Sequence, residues 1–283
     1  MLPEITSAAN PRIKKAARLR ESRVRRKERR FLIDGAREIN RALASGVEIE
    51  ELYLNRGALN PQEKGFFDDK SVAALIEQFE RTRIAVWPVI PALFEKIAFG
   101  ARDEGVIALA REPDRTLEAF AERLPENPLL AVLERIEKPG NIGAVFRSAD
   151  GAKIDGVLLA DCGDDFFHPN AIRSSLGTLF AVPSVSLSAD AIRQWLLNRQ
   201  ITPTAAICQA TRSYTRADYT RPTAIVLGNE AEGLSDLWRD ETNGVLIPML
   251  GVADSLNISN AAAILFYEAR RQRTDACRTD KKL

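Results

Sequence analysis

The sequence predicts an α/β fold in two parts: a small N-terminal α/β domain over residues 1–112 and a larger α/β domain over residues 128–283. Three observations predict it. First, apolar runs at Leu129–Leu133, Gly156–Ala160, Thr204–Ile207, Ala224–Leu227 and Val245–Ile247 recur with helical stretches between most of them. Continuous apolar strands joined by helices are the pattern of a mostly parallel sheet covered on both faces. Second, the composition changes over residues 111–128, where Pro113, Pro125 and Pro128 stand among charged residues, so residues 113–127 read as a linker with one short helix near Leu117–Leu124. Third, 283 residues with 45% hydrophobic and 28% charged content suffice for two cores.

Residues 11–30 read as one amphipathic helix, with Ile13, Ala17 and Val24 along one stripe and cations around the rest. Eleven Lys/Arg stand there against Glu21 and Glu28, a net of +9 in a chain whose net charge is +1. A basic arm on a mildly acidic body suits a polyanionic partner, although a solvated helix face would show the same pattern. A short strand at Phe31–Ile33 follows, then a helix through Ile39, Ala42 and Leu43. Strand-like runs at Glu51–Leu54, Ile84–Trp87 and Gly105–Leu109 complete the small domain.

Several function classes fall away on composition. No apolar run approaches the roughly 18–20 residues that a membrane span needs, and the N-terminus lacks a signal-peptide core, so the expectation is a cytoplasmic protein without membrane attachment. Cys162, Cys208 and Cys277 are far apart, and His168 is the only histidine. Zinc hydrolysis and a Ser-His-Asp triad both draw on histidine, so no metal site is expected and the chemistry must run largely without imidazole.

Three turns, each following an apolar run, carry the chemistry: Asn141-Ile-Gly-Ala-Val-Phe-Arg147, Leu227-Gly-Asn-Glu230, and Ile247-Pro-Met249 running on to Ser255-Leu-Asn257. In the helix after the first, Ile142, Val145, Phe146 and Ala149 form the buried stripe, while Gly143 and Arg147 share another face. Locally, Asn141 can be a helix cap and Arg147 can pair with Asp150. Gly228 lets backbone approach a ligand at the carboxyl end of a strand, where parallel α/β sheets bind them, or simply permits a turn. Ser255 and Asn257 suit the N-cap of the helix Ile258–Arg271.

Taken together, the type, order and spacing of these turns resemble the three motifs of the SpoU (TrmH-like) RNA ribose methyltransferases of the SPOUT superfamily. The likeness extends through His168-Pro-Asn-Ala-Ile-Arg-Ser-Ser-Leu-Gly177. It reaches the N-terminal part through Ile5-Thr-Ser7 with Asn10-Pro11, Phe31-Leu-Ile-Asp-Gly35, and Phe94-Glu-Lys96 leading to Gly105-Val-Ile107. It thus covers nearly the whole chain.

The resemblance implies transfer of the methyl group of S-adenosylmethionine to a ribose 2′-hydroxyl in structured RNA, rRNA before tRNA. It implies a C-terminal SPOUT-type domain with a deep trefoil knot, a homodimer formed through that domain, and an RNA-binding N-terminal domain. By matching positions, Gly228, Ile247, Met249 and Leu256 would hold the cofactor, and Asn141, Arg147, Glu230, Ser255 and Asn257 would form the catalytic set. A nucleotide-binding oxidoreductase fits poorly, because no Gly-x-Gly-x-x-Gly follows the opening strand of this half. A non-catalytic RNA-binding or ribosome-assembly protein of the same fold is the other alternative.

Overall fold

In the computed structural model, which describes residues 2–57, 70–82, 84–100, 105–163, 165–239 and 244–280, the chain divides into two units. One takes Met1–Asp114 and Asp165–Ala181, the other Arg115–Asp164 and Val182–Leu283.

The first unit opens with two short helices, α1 (Pro11–Arg18) and α2 (Ser22–Glu28), where the sequence predicts one helix. Asn10 caps α1 by accepting the Arg12 N–H at 2.9 Å. The break at residues 19–21 follows from packing. Leu19 is fully buried, and the adjacent Arg20 forks onto Asp34 at 2.8 and 3.0 Å while its Nε donates to the Ile97 carbonyl. The buried stripe is accordingly Ile13, Ala16, Leu19 and Val24, with Ala17 only half-buried. Arg29, in left-handed backbone at φ 49°, ends α2.

The basic segment is therefore no free arm. Arg25 is 4% exposed, donating to Asp165 and to the Leu19 carbonyl, and Arg12, Arg29 and Arg30 pair with Glu51, Asp114 and Glu50. Lys14, Arg18, Arg23 and Lys27 are exposed and pair with no acidic group among the described residues.

After these helices come β1 (Arg30–Asp34), α3 (Ala36–Ala44), β2 (Ile49–Asn55), α4 (Lys70–Thr82), β3 (Ala85–Val89), α5 (Pro91–Ile97) and β4 (Val106–Arg111). The four strands lie in the order β1-β4-β2-β3, antiparallel except for β2 beside β3. Ile13, Leu19, Tyr53, Phe94 and Ile107 lie within one core of this unit.

In the second unit α6 (Leu117–Ala121), capped by Thr116, precedes β5 (Leu129–Glu134), α7 (Pro139–Gly151) and β6 (Gly156–Ala160). The chain then passes to the first unit for α8 (Pro169–Ser174) and α9 (Thr178–Ala181). There Phe167 stacks on Phe31 with ring centroids 4.2 Å apart, and His168 caps α8, its Nδ1 accepting the Asn170 N–H at 3.0 Å. It returns for β7 (Ser184–Leu187), α10 (Ala189–Asn198), β8 (Thr202–Ala206), β9 (Thr223–Leu227), β10 (Gly244–Val245) and α11 (Ile258–Asp280).

These strands form a parallel sheet in the order β10-β8-β9-β5-β6-β7. The central β5, β6 and β9 are buried throughout, as their unbroken apolar runs require. Strand β7 is absent from the apolar runs read in the sequence. It lies at an edge of the sheet, where Ser184 and Ser186 alternate with Val185 and Leu187, so it carries no continuous run. Among the described residues no helix is long and apolar enough to cross a membrane.

Candidate active site

All three turns lie at the carboxyl ends of sheet strands. In parallel register Leu133 of β5 sits beside Leu227 of β9, so the residues following these two strands emerge side by side. Residues following β8, β9 and β10 line an open cleft with about 660 Å³ of space for water-sized molecules. Such a crevice is where open parallel α/β sheets take their ligands, and its size lies in the usual range of small-molecule sites, about 300–1,000 Å³.

Gly228, Glu230, Ile247, Met249, Ser255 and Leu256 all line this cleft. The sequence leaves Gly228 two reasons, close approach of a ligand or a turn, and the structure shows the steric demand of the turn. A Cβ on Gly228 would lie 2.4 Å from the Gly233 carbonyl carbon and 2.6 Å from the Leu234 nitrogen. The loop thus closes on its own backbone, with Asn229 and Gly233 bridged and the Gly233 N–H donating to the Asn229 carbonyl at 2.9 Å. Gly233 itself takes φ +70°, a left-handed conformation that favours glycine. Inside the loop the Asn229 side chain accepts the Ala231 and Glu232 N–H groups at 2.7 and 3.2 Å.

Hydrogen bonds tie the three turns to one another. Asn141 Nδ2 donates to Glu230 Oε1, and its Oδ1 accepts from Asn257 Nδ2 at 3.3 Å. Asn141 is the third residue of α7, past the cap position held by Lys138, so its amide is turned to this network rather than to capping. Asn257 serves both purposes. Its Oδ1 accepts the Ser259 N–H at 2.9 Å and the Ser259 hydroxyl at 2.7 Å, which caps α11, while its N–H faces Asn141.

Ser255 is exposed on the rim of the cleft. Arg147 stands apart: it is exposed, it does not line the cleft, and no hydrogen bond or ion pair joins it to Asp150 or to any other described residue. It stands six positions along from Asn141, which turns it by about two-thirds of a helical turn onto another face of α7. The four apolar residues expected to be buried on that helix, Ile142, Val145, Phe146 and Ala149, are buried.

Two residues at the end of β5 escape sequence reasoning. Glu134 is 1% exposed; its Oε2 accepts the Ser235 N–H at 2.7 Å, and its Oε1 accepts the Ser235 hydroxyl at 2.6 Å and the Trp238 indole N–H at 3.0 Å. Arg135, in left-handed backbone at φ 52°, presents its carbonyl to Asn229 Nδ2 at 2.9 Å and its guanidinium to Glu232 at 3.3 Å. The available signal was a carboxylate closing an otherwise apolar central strand, a position that requires partners. Cys162 lies nearby, its Sγ 3.2 Å from the Leu133 carbonyl; burial pushes the thiol up to about 11, so it is a packed side chain rather than a nucleophile.

A parallel sheet with a loop-walled cleft at its carboxyl edge defines a small-molecule-binding α/β protein. Residues 128–267 match the model of the SpoU rRNA Methylase family, and residues 10–108 match the MRM3-like substrate binding domain. The 23S rRNA (uridine(2479)-2′-O)-methyltransferase of Streptomyces viridochromogenes is 33% identical over 256 residues, covering 86% of this chain and 83% of that protein. The 23S rRNA (guanosine(2553)-2′-O)-methyltransferase RlmP of Bacillus subtilis is 25% identical, covering 95% and 100%. Among solved structures, an RNA 2′-O ribose methyltransferase superposes with a TM-score of 0.81 at 41% identity, covering 96% of this chain and all of that one. AviRb of Streptomyces viridochromogenes, a SpoU methyltransferase solved in complex with AdoMet, gives a TM-score of 0.81 at 29% identity, covering 94% and 100%. The chain belongs to the SpoU rRNA methylase family.

Proposed function

We propose that this protein transfers a methyl group from S-adenosylmethionine to a ribose 2′-hydroxyl of structured RNA, and of ribosomal RNA in particular. The observation that carries the reading is the hydrogen-bonded chain Glu230–Asn141–Asn257, which joins all three turns beside one cleft. The lining fits the cofactor. Leu227, Ile247, Leu256 and Ile258 offer an apolar wall, and among the described lining residues Glu230, Glu232 and Asp254 stand against one cation, Arg239. Such a balance suits a ligand bearing positive charge and disfavours a polyphosphate. Gly228, Ile247, Met249 and Leu256 would hold the cofactor, whose contribution when bound is an electrophilic methyl group on a sulfonium.

The protein's own contribution is placement and electrostatics. Holding a nucleophilic oxygen in line at near-attack distance supplies several kcal/mol of such a barrier. Glu230 and Asn257, oriented through Asn141, position the ribose, with Ser255 at the rim. Arg147 keeps its five N–H donors free for the target phosphate and for charge developing on the 2′-oxygen. A guanidinium is a poor proton acceptor, so its part here is to hold charge. The exposed Lys14, Arg18, Arg23 and Lys27 of α1 and α2 bind the RNA backbone, since duplex RNA is read largely by shape and phosphate. The reading extends to a cytoplasmic protein, to trefoil threading of the C-terminal segment, and to a homodimer through the second unit. The wholly exposed Leu250 and Val252 and the exposed Tyr267 support the dimer as apolar surface that a second copy would cover.

The test is methylation of ribosomal RNA in vitro, read as alkali-resistant linkages, with Arg147→Ala and Arg147→Lys compared in single turnover across pH. Arg147→Ala is expected to lower the rate about 10²–10³-fold, the usual loss for one transition-state charge donor. Binding of RNA without cofactor binding or alkali-resistant product favours the non-catalytic alternative.

A further inference from the structure

We infer that Glu134 and Arg135 are positioning residues that grip the cofactor loop at three points and set its affinity for S-adenosylmethionine. The inference rests on the reading of the cleft as the cofactor site, and on geometry that no motif of the family resemblance supplied.

The loop Gly228–Leu234 lines the cleft along its whole length. Its start is held by the Asn229 side chain on the Arg135 carbonyl, its middle by Glu232 on the Arg135 guanidinium, and its end by the Ser235 N–H on Glu134. The parallel pairing of β5 with β9 places these two residues next to the start of the loop, which is why a single dipeptide reaches both ends of it. The left-handed backbone of Arg135 lets consecutive residues serve the same loop, one through its side chain and the other through both side chain and carbonyl.

Glu134 is the stronger half of the grip. It is almost fully buried, and it accepts from three neutral donors: one amide, one hydroxyl and one indole. A buried carboxylate is tolerated when its lone pairs are filled, and hydrogen bonds to a charged acceptor are roughly twice as strong as neutral ones. Each oxygen receives an N–H, from Ser235 on one and from Trp238 on the other. In Glu134→Gln either orientation of the amide sets an N–H against an N–H, so the substitution keeps the volume and breaks the grip. Trp238 and Leu234 belong to the core of the second unit, so the carboxylate joins the cleft edge of the sheet to its packed interior.

The experiment uses the full chain. Calorimetry with S-adenosylhomocysteine, RNA affinity by filter retention, thermal melting, and steady-state constants for each substrate are compared for the native protein, Glu134→Gln, Trp238→Phe and Ser235→Ala. Glu134→Gln is expected to raise the cofactor-product Kd and the cofactor KM tenfold or more, with RNA affinity within twofold of native. Trp238→Phe, which removes only one donor, is expected to raise the same Kd about threefold, and Ser235→Ala less. In the native protein the Trp238 indole N–H resonance should move on addition of S-adenosylhomocysteine. A cofactor-product Kd within twofold of native in both Glu134→Gln and Trp238→Phe overturns the inference. Equal weakening of cofactor and RNA overturns it too, because a merely structural role would lower both. If Glu134→Gln does not fold, Trp238→Phe and Ser235→Ala decide between the same outcomes. A native protein that does not bind S-adenosylhomocysteine overturns the reading of the cleft itself, a failure distinct from unaltered binding in the variants.

Discussion

Replacing Gly228 by alanine adds one methyl group at the place where the second turn closes on itself. The new Cβ would meet the Gly233 carbonyl carbon at 2.4 Å, the Gly233 oxygen at 2.6 Å and the Leu234 nitrogen at 2.6 Å. All three are backbone atoms, so no side chain can rotate away and the loop must open by about an ångström, judged against ordinary van der Waals separation at about 3.5–4.0 Å. Overpacking of this kind costs about 1–3 kcal/mol, which corresponds to a fall in Tm of roughly 2–10 °C for a unit of this size. The larger effect should fall on the cleft, since Leu227, Gly228, Gly233 and Leu234 all line it. Gly233→Ala is the matched control. A Cβ there meets nothing within 4 Å, and only the left-handed backbone at φ +70° opposes it, at about 1–2 kcal/mol. Differential scanning fluorimetry gives the stability of both variants, and calorimetry with S-adenosylhomocysteine gives affinity. Gly228→Ala should weaken binding at least tenfold, and Gly233→Ala several-fold less. Native affinity and Tm in Gly228→Ala would refute the steric account.

Two further outcomes follow from the first unit. Replacing Lys14, Arg18, Arg23 and Lys27 together by glutamine should leave Tm nearly unchanged, because all four are exposed, and should make log RNA affinity fall less steeply with log salt, by about one unit of slope for each phosphate no longer neutralised; an unchanged slope removes α1 and α2 from the RNA interface. Deleting residues 1–30 is no substitute, since Ile13, Ala16, Leu19 and Val24 lie in the core. His168 is held below its ordinary value, chiefly by burial, opposed by Asp165 and assisted by Arg25 and Arg20. The folded state therefore binds the proton less readily than the unfolded one, and stability present at neutral pH is lost as pH falls below about 6.5. Protonation also removes the Nδ1 acceptor that caps α8. Native protein should melt about 1–3 °C lower at pH 5.5 than at pH 7.5 relative to His168→Asn, which keeps a capping oxygen without titrating; parallel melting curves would rule out this role.

The outcome at Asn141, Gly228 and the basic segment separates what was legible in the sequence from what was not. The burial of Ile142, Val145, Phe146 and Ala149 followed from spacing, because helical periodicity is a local property that packing did not disturb. The strands β5, β6 and β9 followed from unbroken apolar runs, because a central parallel strand is buried on both faces. Edge strand β7 did not, because Ser184 and Ser186 interrupt its apolar run, one of them buried and the other exposed. The basic helix broke in two because burying Leu19 and pairing Arg20 with Asp34, fourteen residues on, outweighed a continuous helical period.

At the site, residue types and their order were readable along the chain: a glycine, an asparagine or a carboxylate after each apolar run, and a family whose motifs they resemble. What each of them touches is set by the fold. Asn141 is a bridge to Glu230 and Asn257 rather than a cap, and Gly228 lets the second turn close on its own backbone. Glu134, a buried carboxylate that accepts from three donors, lies outside every motif. The physical reason is distance along the chain. Hydrophobic period and turn chemistry act over a few residues, whereas Asn141 meets Glu230 across 89 positions and Glu134 meets Ser235 across 101, pairings that exist once the parallel sheet has set its strands in register.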